Sequence, residues 1–319
     1  MPDKEQPVSL DSLTYPLFVK DGTGLREPVV SMPGIFRFSP DTALEEAAAV
    51  RELGLRSLIL FGIPRSKDRR GRQAMGPGSV VARTVAALKK ALPDIRVTTD
   101  VCLCAYTDHG HCGILEEARG GVGRPVARDG ARTLEALAQM ALSHAAAGAD
   151  CVAPSAMMEG QVRVLRRILN KAGFAHTRIL AYSAKFASQF YGPFREAADS
   201  APRLGDGRPY QLPVADADRA LERMEADIAQ GADEVMVKPA LGYQDVIRRA
   251  RDRFRSPLVC YNVSGEYAMV KAGARQGWWD ERRMVAEIMS GMRRAGADTI
   301  ISYHAHDIAL WRREHGGRR

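Results

Sequence analysis

Short runs of β-branched and other apolar residues alternate along the chain with longer stretches whose apolar positions recur at helical spacing. That alternation is the pattern of parallel strands joined by crossover helices. Eight strands are predicted, over residues 28–32, 57–61, 96–101, 150–153, 178–182, 234–238, 258–262 and 299–303. Three of them are introduced by one tripeptide, Gly148-Ala149-Asp150, Gly231-Ala232-Asp233 and Gly296-Ala297-Asp298, each closing an Ala- or Arg-rich helical segment. Glycine just beyond a helix end permits the left-handed conformation, and the aspartate then turns the chain into the next strand.

Eight alternations favour a closed (β/α)8 TIM barrel of the α/β class over an open doubly wound sheet. No Gly-x-Gly-x-x-Gly follows a first strand to suggest a dinucleotide site. The 319 residues then form a single barrel domain, with a short N-terminal arm over 1–14. Between 191 and 213, Gly192, Pro193, Pro202, Gly205, Gly207, Pro209 and Pro213 break any regular element. A loop of that length in a compact domain is expected to be an active-site lid. Functional side chains are expected at the C-terminal ends of strands or in the loops just after them.

Composition narrows the function classes. With 45% hydrophobic and 26% charged residues, and no apolar run of membrane-spanning length, a soluble protein without a membrane partner is expected. Residues 1–10 carry no apolar targeting segment, so a cytoplasmic location is expected. The net charge of +8 comes largely from arginines scattered along helical stretches and from the Gly-Gly-Arg-Arg tail. No nucleic-acid reading motif accompanies it, and anionic small substrates explain the charge as well.

Three of the five cysteines, Cys102, Cys104 and Cys112, crowd into eleven residues, which in a reducing compartment suggests metal binding or catalysis before disulfides. They can present three thiolates to one Zn2+ ion, leaving a fourth position for water or a substrate oxygen; His109 or His111 could close that position instead and make the site structural. Cys151 and Cys260 fall inside strands and read as small buried hydrophobes. Lys238 ends the apolar run Glu234-Val-Met-Val-Lys, where burial would lower its pKa and supply the neutral amine that a carbonyl substrate needs to form a Schiff base. The alternative is a lysine snorkelling at a strand end. Lys185 repeats the arrangement in Tyr182-Ser-Ala-Lys-Phe-Ala-Ser, and two such amines on adjacent strands would each raise the cost of charging the other. Arg195, beside aromatics in the lid, could clamp a carboxylate.

Taken in order, Ser31-Met-Pro-Gly, Thr99-Asp-Val-Cys-Leu-Cys, His109-Gly-His-Cys-Gly, Ala153-Pro-Ser, Tyr182-Ser-Ala-Lys-Phe-Ala-Ser, Phe190-Tyr-Gly-Pro-Phe-Arg-Glu-Ala-Ala, Met236-Val-Lys-Pro and Val263-Ser-Gly-Glu-Tyr-Ala-Met resemble the porphobilinogen synthases (5-aminolevulinate dehydratases). They span nearly the whole chain. The resemblance implies that two 5-aminolevulinate molecules condense with loss of two waters to give porphobilinogen. It implies that Lys238 holds the first substrate as an imine and Lys185 the second. Ser264 and Tyr303 match residues that bind the first carboxylate, and Arg195 and Gln211 match contacts to the second. Ser155, in Ala153-Pro-Ser, completes the substrate-binding set. Cys102, Cys104 and Cys112 match the ligands of a catalytic zinc, and Asp100 matches a carboxylate near the reacting atoms. The family assembles homo-octamers partly through an N-terminal arm; with a short arm here, a smaller homo-oligomer is an expectation.

Two positions depart from the family pattern. Ala156 stands where the run Ala-Pro-Ser-Asp-Met-Met-Asp-Gly has its aspartate, and Gly207 stands where a second lid arginine is usual, with Arg208 or Arg203 close enough to substitute. Both touch the second substrate's neighbourhood. They are compatible with a paralogue that takes a different amino-ketone there, or with compensation by neighbouring residues. Glu222-Arg223 replaces the Arg-Glu pair of magnesium-responsive members, so no magnesium activation is expected. A class I aldolase would share the strand-end lysine but would not need the cysteines, and a degenerate zinc-binding or interaction protein would have lost imine formation at both lysines.

Overall fold

The computed structural model describes residues 8–116, 127–201 and 210–316. Ten strands occur in it: β1 (Leu13–Lys20), β2 (Arg26–Pro28), β3 (Phe36–Phe38), β4 (Ser57–Ile63), β5 (Arg96–Val101), β6 (Cys151–Pro154), β7 (Arg178–Lys185), β8 (Glu234–Lys238), β9 (Leu258–Asn262) and β10 (Thr299–Ser302). β1 and β4 to β10 are parallel and follow one another around a ring, which Leu13 and Thr14 close by pairing with Ile300 and Ile301. Helices lie between successive strands, so the expected TIM barrel is the fold. β2 and β3 form an antiparallel pair outside the ring, joined to β1 through Phe18↔Arg37 and Val19↔Phe38.

The first barrel strand is not where the pattern placed it. β1 takes in residues 13 and 14 of the expected arm, while in the span 28–32 Pro28 ends β2 and the chain then turns, Met32 N–H donating to Val29 O at 3.0 Å. Pro16 hid the true strand, because a residue without an N–H reads as a breaker in a central strand. Here it sits in register with Ile59. Likewise the segment beginning at 191 holds a short helix, Gly192–Ala197, before residues 202–209, which lie outside the described residues together with Arg203, Gly207 and Arg208.

Alternation along each strand sorts side chains between two layers. Phe18, Phe61, Tyr182, Tyr261 and Tyr303 fill the barrel interior, and aliphatic residues such as Leu17, Leu60, Val237 and Cys260 pack against the helices outside. Cys151 and Cys260 are fully buried, one in each layer, and burial pushes the Cys151 thiol up to about 12. Both behave as the small hydrophobes expected.

The repeated tripeptide has one structural job in all three places. Gly148, Gly231 and Gly296 adopt φ of 100°, 98° and 119°. Each following aspartate accepts a hydrogen bond from the first residues of the preceding strand: Asp150 from Val97 N at 2.7 Å, Asp233 from Ile179 N at 2.7 Å, Asp298 from Leu258 N at 2.8 Å. Lys89, Arg166 and Arg251 pair with the same three carboxylates. The bottom of the barrel is thereby pinned, two strands at a time, and the top is left to chemistry. No helix among the described residues is long and apolar enough to cross a membrane.

Candidate active site

The two lysines emerge from β7 and β8 as register partners, Lys185↔Lys238. A bulge makes this possible. Leu180 and Tyr182 face inward, so strict alternation would turn residue 184 inward next; between Ala181 and Ala184 the register shifts, Ala184 packs with the outer layer, and Lys185 takes the inward position. The amines are 8% and 5% exposed as whole residues, so each is cut off from bulk water.

Their surroundings differ. The Lys238 amine sits among aromatic rings, 4.4 Å from the centroid of Tyr261 and 5.0 to 5.3 Å from Tyr182, Phe194 and Tyr191. Burial, reinforced by the Lys185 charge, draws its pKa down to about 7. Lys185 donates to Ser155 O at 2.8 Å. Burial pulls its pKa down too, but the charges of Cys112, Cys102 and Cys104, with Asp100, outweigh that and raise it. The two lysines, in register, are shifted in opposite directions.

Cys102 and Cys104 follow the end of β5, their sulfurs 3.4 Å apart, and the turn through His109 and His111 returns Cys112 to them. The three Sγ atoms lie within 4.8 Å of one another and all three thiols are free. Cys112 is the most acidic of them, its pKa lowered first by hydrogen bonding to Cys102 and Cys104 and then by Lys185 and Arg128. A cluster of three thiols with one already disposed to be thiolate fits a soft or borderline divalent ion. Neither histidine joins the group. His109 Nδ1 accepts from His111 N at 3.1 Å, and His111 Nδ1 lies 3.2 Å from the Tyr210 hydroxyl. A second set, Glu281, His304 and Asp307, already contains a cation, since Lys271 Nζ lies 2.6 Å and 2.8 Å from its two carboxylates.

Asp100, on β5, is pushed up to about 6 by burial, against the opposing pull of the Ser155 hydroxyl and the two lysines. A cavity of about 50 Å³ is lined among others by Cys104, Cys112, Lys185, Lys238, Arg195 and Gln211. Gln211 Oε1 is buried there without a hydrogen-bond partner among the described residues. Ser264 and Tyr303 hydrogen-bond to protein groups: Ser264 Oγ accepts from Phe194 N at 3.0 Å and donates to Phe190 O at 3.2 Å, and the Tyr303 hydroxyl accepts from Tyr261 at 3.0 Å. Ser264 thus ties down the segment that carries Arg195, and Gly265 lets it come close, since a Cβ there would stand 2.6 Å from Phe190 O. Arg37 grips the far end of that segment, donating to Ala197 O at 2.8 Å and Glu196 O at 2.7 Å. Ala156 is fully buried in an apolar cluster with Leu103 and Cys102.

Several contributors escaped the sequence reading. Glu266, pushed up to about 7 by burial, accepts from Leu241 N at 2.8 Å and Val263 N at 2.9 Å and so fixes the exit from β8. Tyr191 donates to Lys238 O at 3.0 Å. Tyr210 and Arg128 close the side of the cysteine cluster, the guanidinium 3.8 Å from the ring centroid. Acidic, aromatic and basic residues of this kind have no spacing rule, and only tertiary contact reveals their part.

The family model "Delta-aminolevulinic acid dehydratase" matches residues 3–311. The Delta-aminolevulinic acid dehydratase of Synechococcus elongatus is 48% identical over 308 residues, 97% of this chain and 93% of the relative. The Bacillus subtilis protein of the same name is 46% identical over 308 residues, again 97% and 93% of the two chains. Among solved structures, the Toxoplasma gondii delta-aminolevulinic acid dehydratase (porphobilinogen synthase), in complex with its reaction product porphobilinogen, superposes with a TM-score of 0.91. It is 40% identical, covering 97% of this chain and 87% of that one.

Proposed function

Because the chain belongs to the delta-aminolevulinic acid dehydratase family, we infer that it condenses two molecules of 5-aminolevulinate into porphobilinogen with loss of two waters. The observation that carries this reading is the register pair Lys185↔Lys238, opening with Cys104 and Cys112 onto one cavity.

Lys238, with a pKa of about 7, presents a neutral amine to the ketone carbon of the first substrate, and a water leaves as the imine forms. The surrounding aromatic rings exclude bulk water, which would hydrolyse that imine. Lys185 holds the second substrate in the same way once it has lost its proton. Asp100, titrating at about 6, is the group placed to take a proton between the two. Arg195 and Gln211 receive the second carboxylate, with Arg208 and Ser155 in support; Ser264 and Tyr303 receive the first. The segment 191–213 closes over the second substrate. Cys102, Cys104 and Cys112 would hold Zn2+, which supplies Lewis acidity toward a substrate oxygen. The acceptor of these reactants is one small-molecule site per chain in a homo-oligomer.

Purified protein given 5-aminolevulinate and assayed colorimetrically for porphobilinogen tests the reading. Product formation supports it, and its absence with imines still trapped on both lysines refutes it.

A further inference from the structure

Arg128 belongs to no motif that led to the site, yet it touches three parts of it. It follows the cysteine turn, where Asp129 N donates to Ile114 O at 2.8 Å and Glu116 N to Ala127 O at 3.1 Å, so its backbone is anchored beside Cys112. Its side chain runs past Gly113, where a Cβ would come within 3.0 Å of Arg128 Cδ. The guanidinium then donates to Ala156 O at 2.6 Å and Met157 O at 3.4 Å. Met157 has φ of 57°, a left-handed conformation that a non-glycine residue holds only when its surroundings insist. The opposite side of the guanidinium lies 3.8 Å from the Tyr210 ring centroid. Tyr210 in turn accepts from Cys112 N at 3.4 Å and precedes Gln211, whose buried amide oxygen lacks a partner among the described residues.

We propose that Arg128 is the positioning residue of the second-substrate site, clamping the Tyr210-Gln211 segment of the lid to the loop that follows β6. This rests on the reading of the chain as a two-substrate synthase. One planar cation joins the two loops: its edge satisfies carbonyls in the loop carrying Ala156, and its face holds the aromatic that sets Gln211 over the cavity. The clamp lies on the Lys185 and Cys112 side. The aromatic surroundings of Lys238 are made by Tyr182, Tyr191, Phe194 and Tyr261, none of which Arg128 contacts in these ways. The geometry assigns Arg128 to the affinity of the second substrate and leaves the first alone. A lysine cannot replace it fully, because an ammonium reaches a carbonyl but offers no plane to stack.

The test uses the full-length, zinc-supplied enzyme and the variants R128A, R128K and Y210L, with the double variant R128A/Y210L. Porphobilinogen formation gives KM and kcat, and borohydride trapping of 5-aminolevulinate with peptide mapping reads each lysine separately. R128A should raise KM about tenfold, the size expected when a cation–π contact and its hydrogen bonds are lost. Trapping should fall at Lys185 and hold at Lys238. R128K should recover part of the loss, and the double variant should be no worse than R128A, since both break one clamp. Wild-type KM in R128A, equal loss of trapping at both lysines, or additive losses in the double variant would each overturn the proposal. Failure of the wild-type enzyme to make porphobilinogen would instead remove the functional reading, and is seen before any variant is compared.

Discussion

Lys185 and Lys238 are register partners at the tops of adjacent strands, and a bulge in β7 is what turns Lys185 into the barrel beside Lys238. Their nearness sets their chemistry. Burial first, and then the charge on Lys185, disfavour a charge on Lys238, so the amine in the aromatic surroundings loses its proton first.

The pH dependence of imine trapping follows from that. Lys238 is reactive only when neutral, so trapping there should rise as pH passes upward through about 7, where an ordinary lysine would still be protonated. In K185M the repulsion is gone, and the midpoint should move to higher pH. Borohydride inactivation measured from pH 5 to 9, with modification mapped to Lys238, checks both; an unmoved midpoint in K185M would show that burial alone lowers the pKa.

Metal content depends on all three sulfurs. Wild-type protein should carry one zinc per chain, and C104A or C112A should lose it together with porphobilinogen formation while the far-ultraviolet circular dichroism stays unchanged. Plasma mass spectrometry on dialysed protein reads this directly. Full zinc retention in either variant would place the ion elsewhere.

Much of this was legible in the chain. Strand-end lysines, clustered cysteines and Gly-Ala-Asp punctuation are local signals, and each sits where a barrel needs it. What the pattern misplaced was β1, because Pro16 masks its own strand and only pairing with Ile59 reveals it. The bulge that aims Lys185, the Glu266 anchor below Leu241 and the Arg128–Tyr210 stack were unreadable for a different reason. Each depends on residues far apart in sequence. The same is true of the hydrogen bonds that the Ser264 hydroxyl makes to Phe190 and Phe194.

The aspartates of the repeated tripeptide are structural. D233A removes the acceptor of Ile179 N and the partner of Arg166, and should cost about 1.5–3 kcal/mol, the range for hydrogen bonds to charged groups. Lys238 trapping should be retained in the folded protein. Urea unfolding checks the stability and trapping checks the site; a variant as stable as wild type would show that the pin is dispensable.

Magnesium should not raise the rate. Arg223 brings a guanidinium to the position where responsive family members have a carboxylate, beginning from Glu222-Arg223 in the helix Ala217–Ala229. A magnesium titration at saturating zinc reads the outcome, and activation would contradict this assignment.

The most direct measurement is the colorimetric assay for porphobilinogen on purified protein given 5-aminolevulinate alone, with zinc supplied and then chelated. The account predicts product that disappears on chelation and returns with zinc, with Ala156 and Gly207 tolerated. Absence of product while borohydride still traps substrate on Lys238 would contradict it and point to a different second substrate.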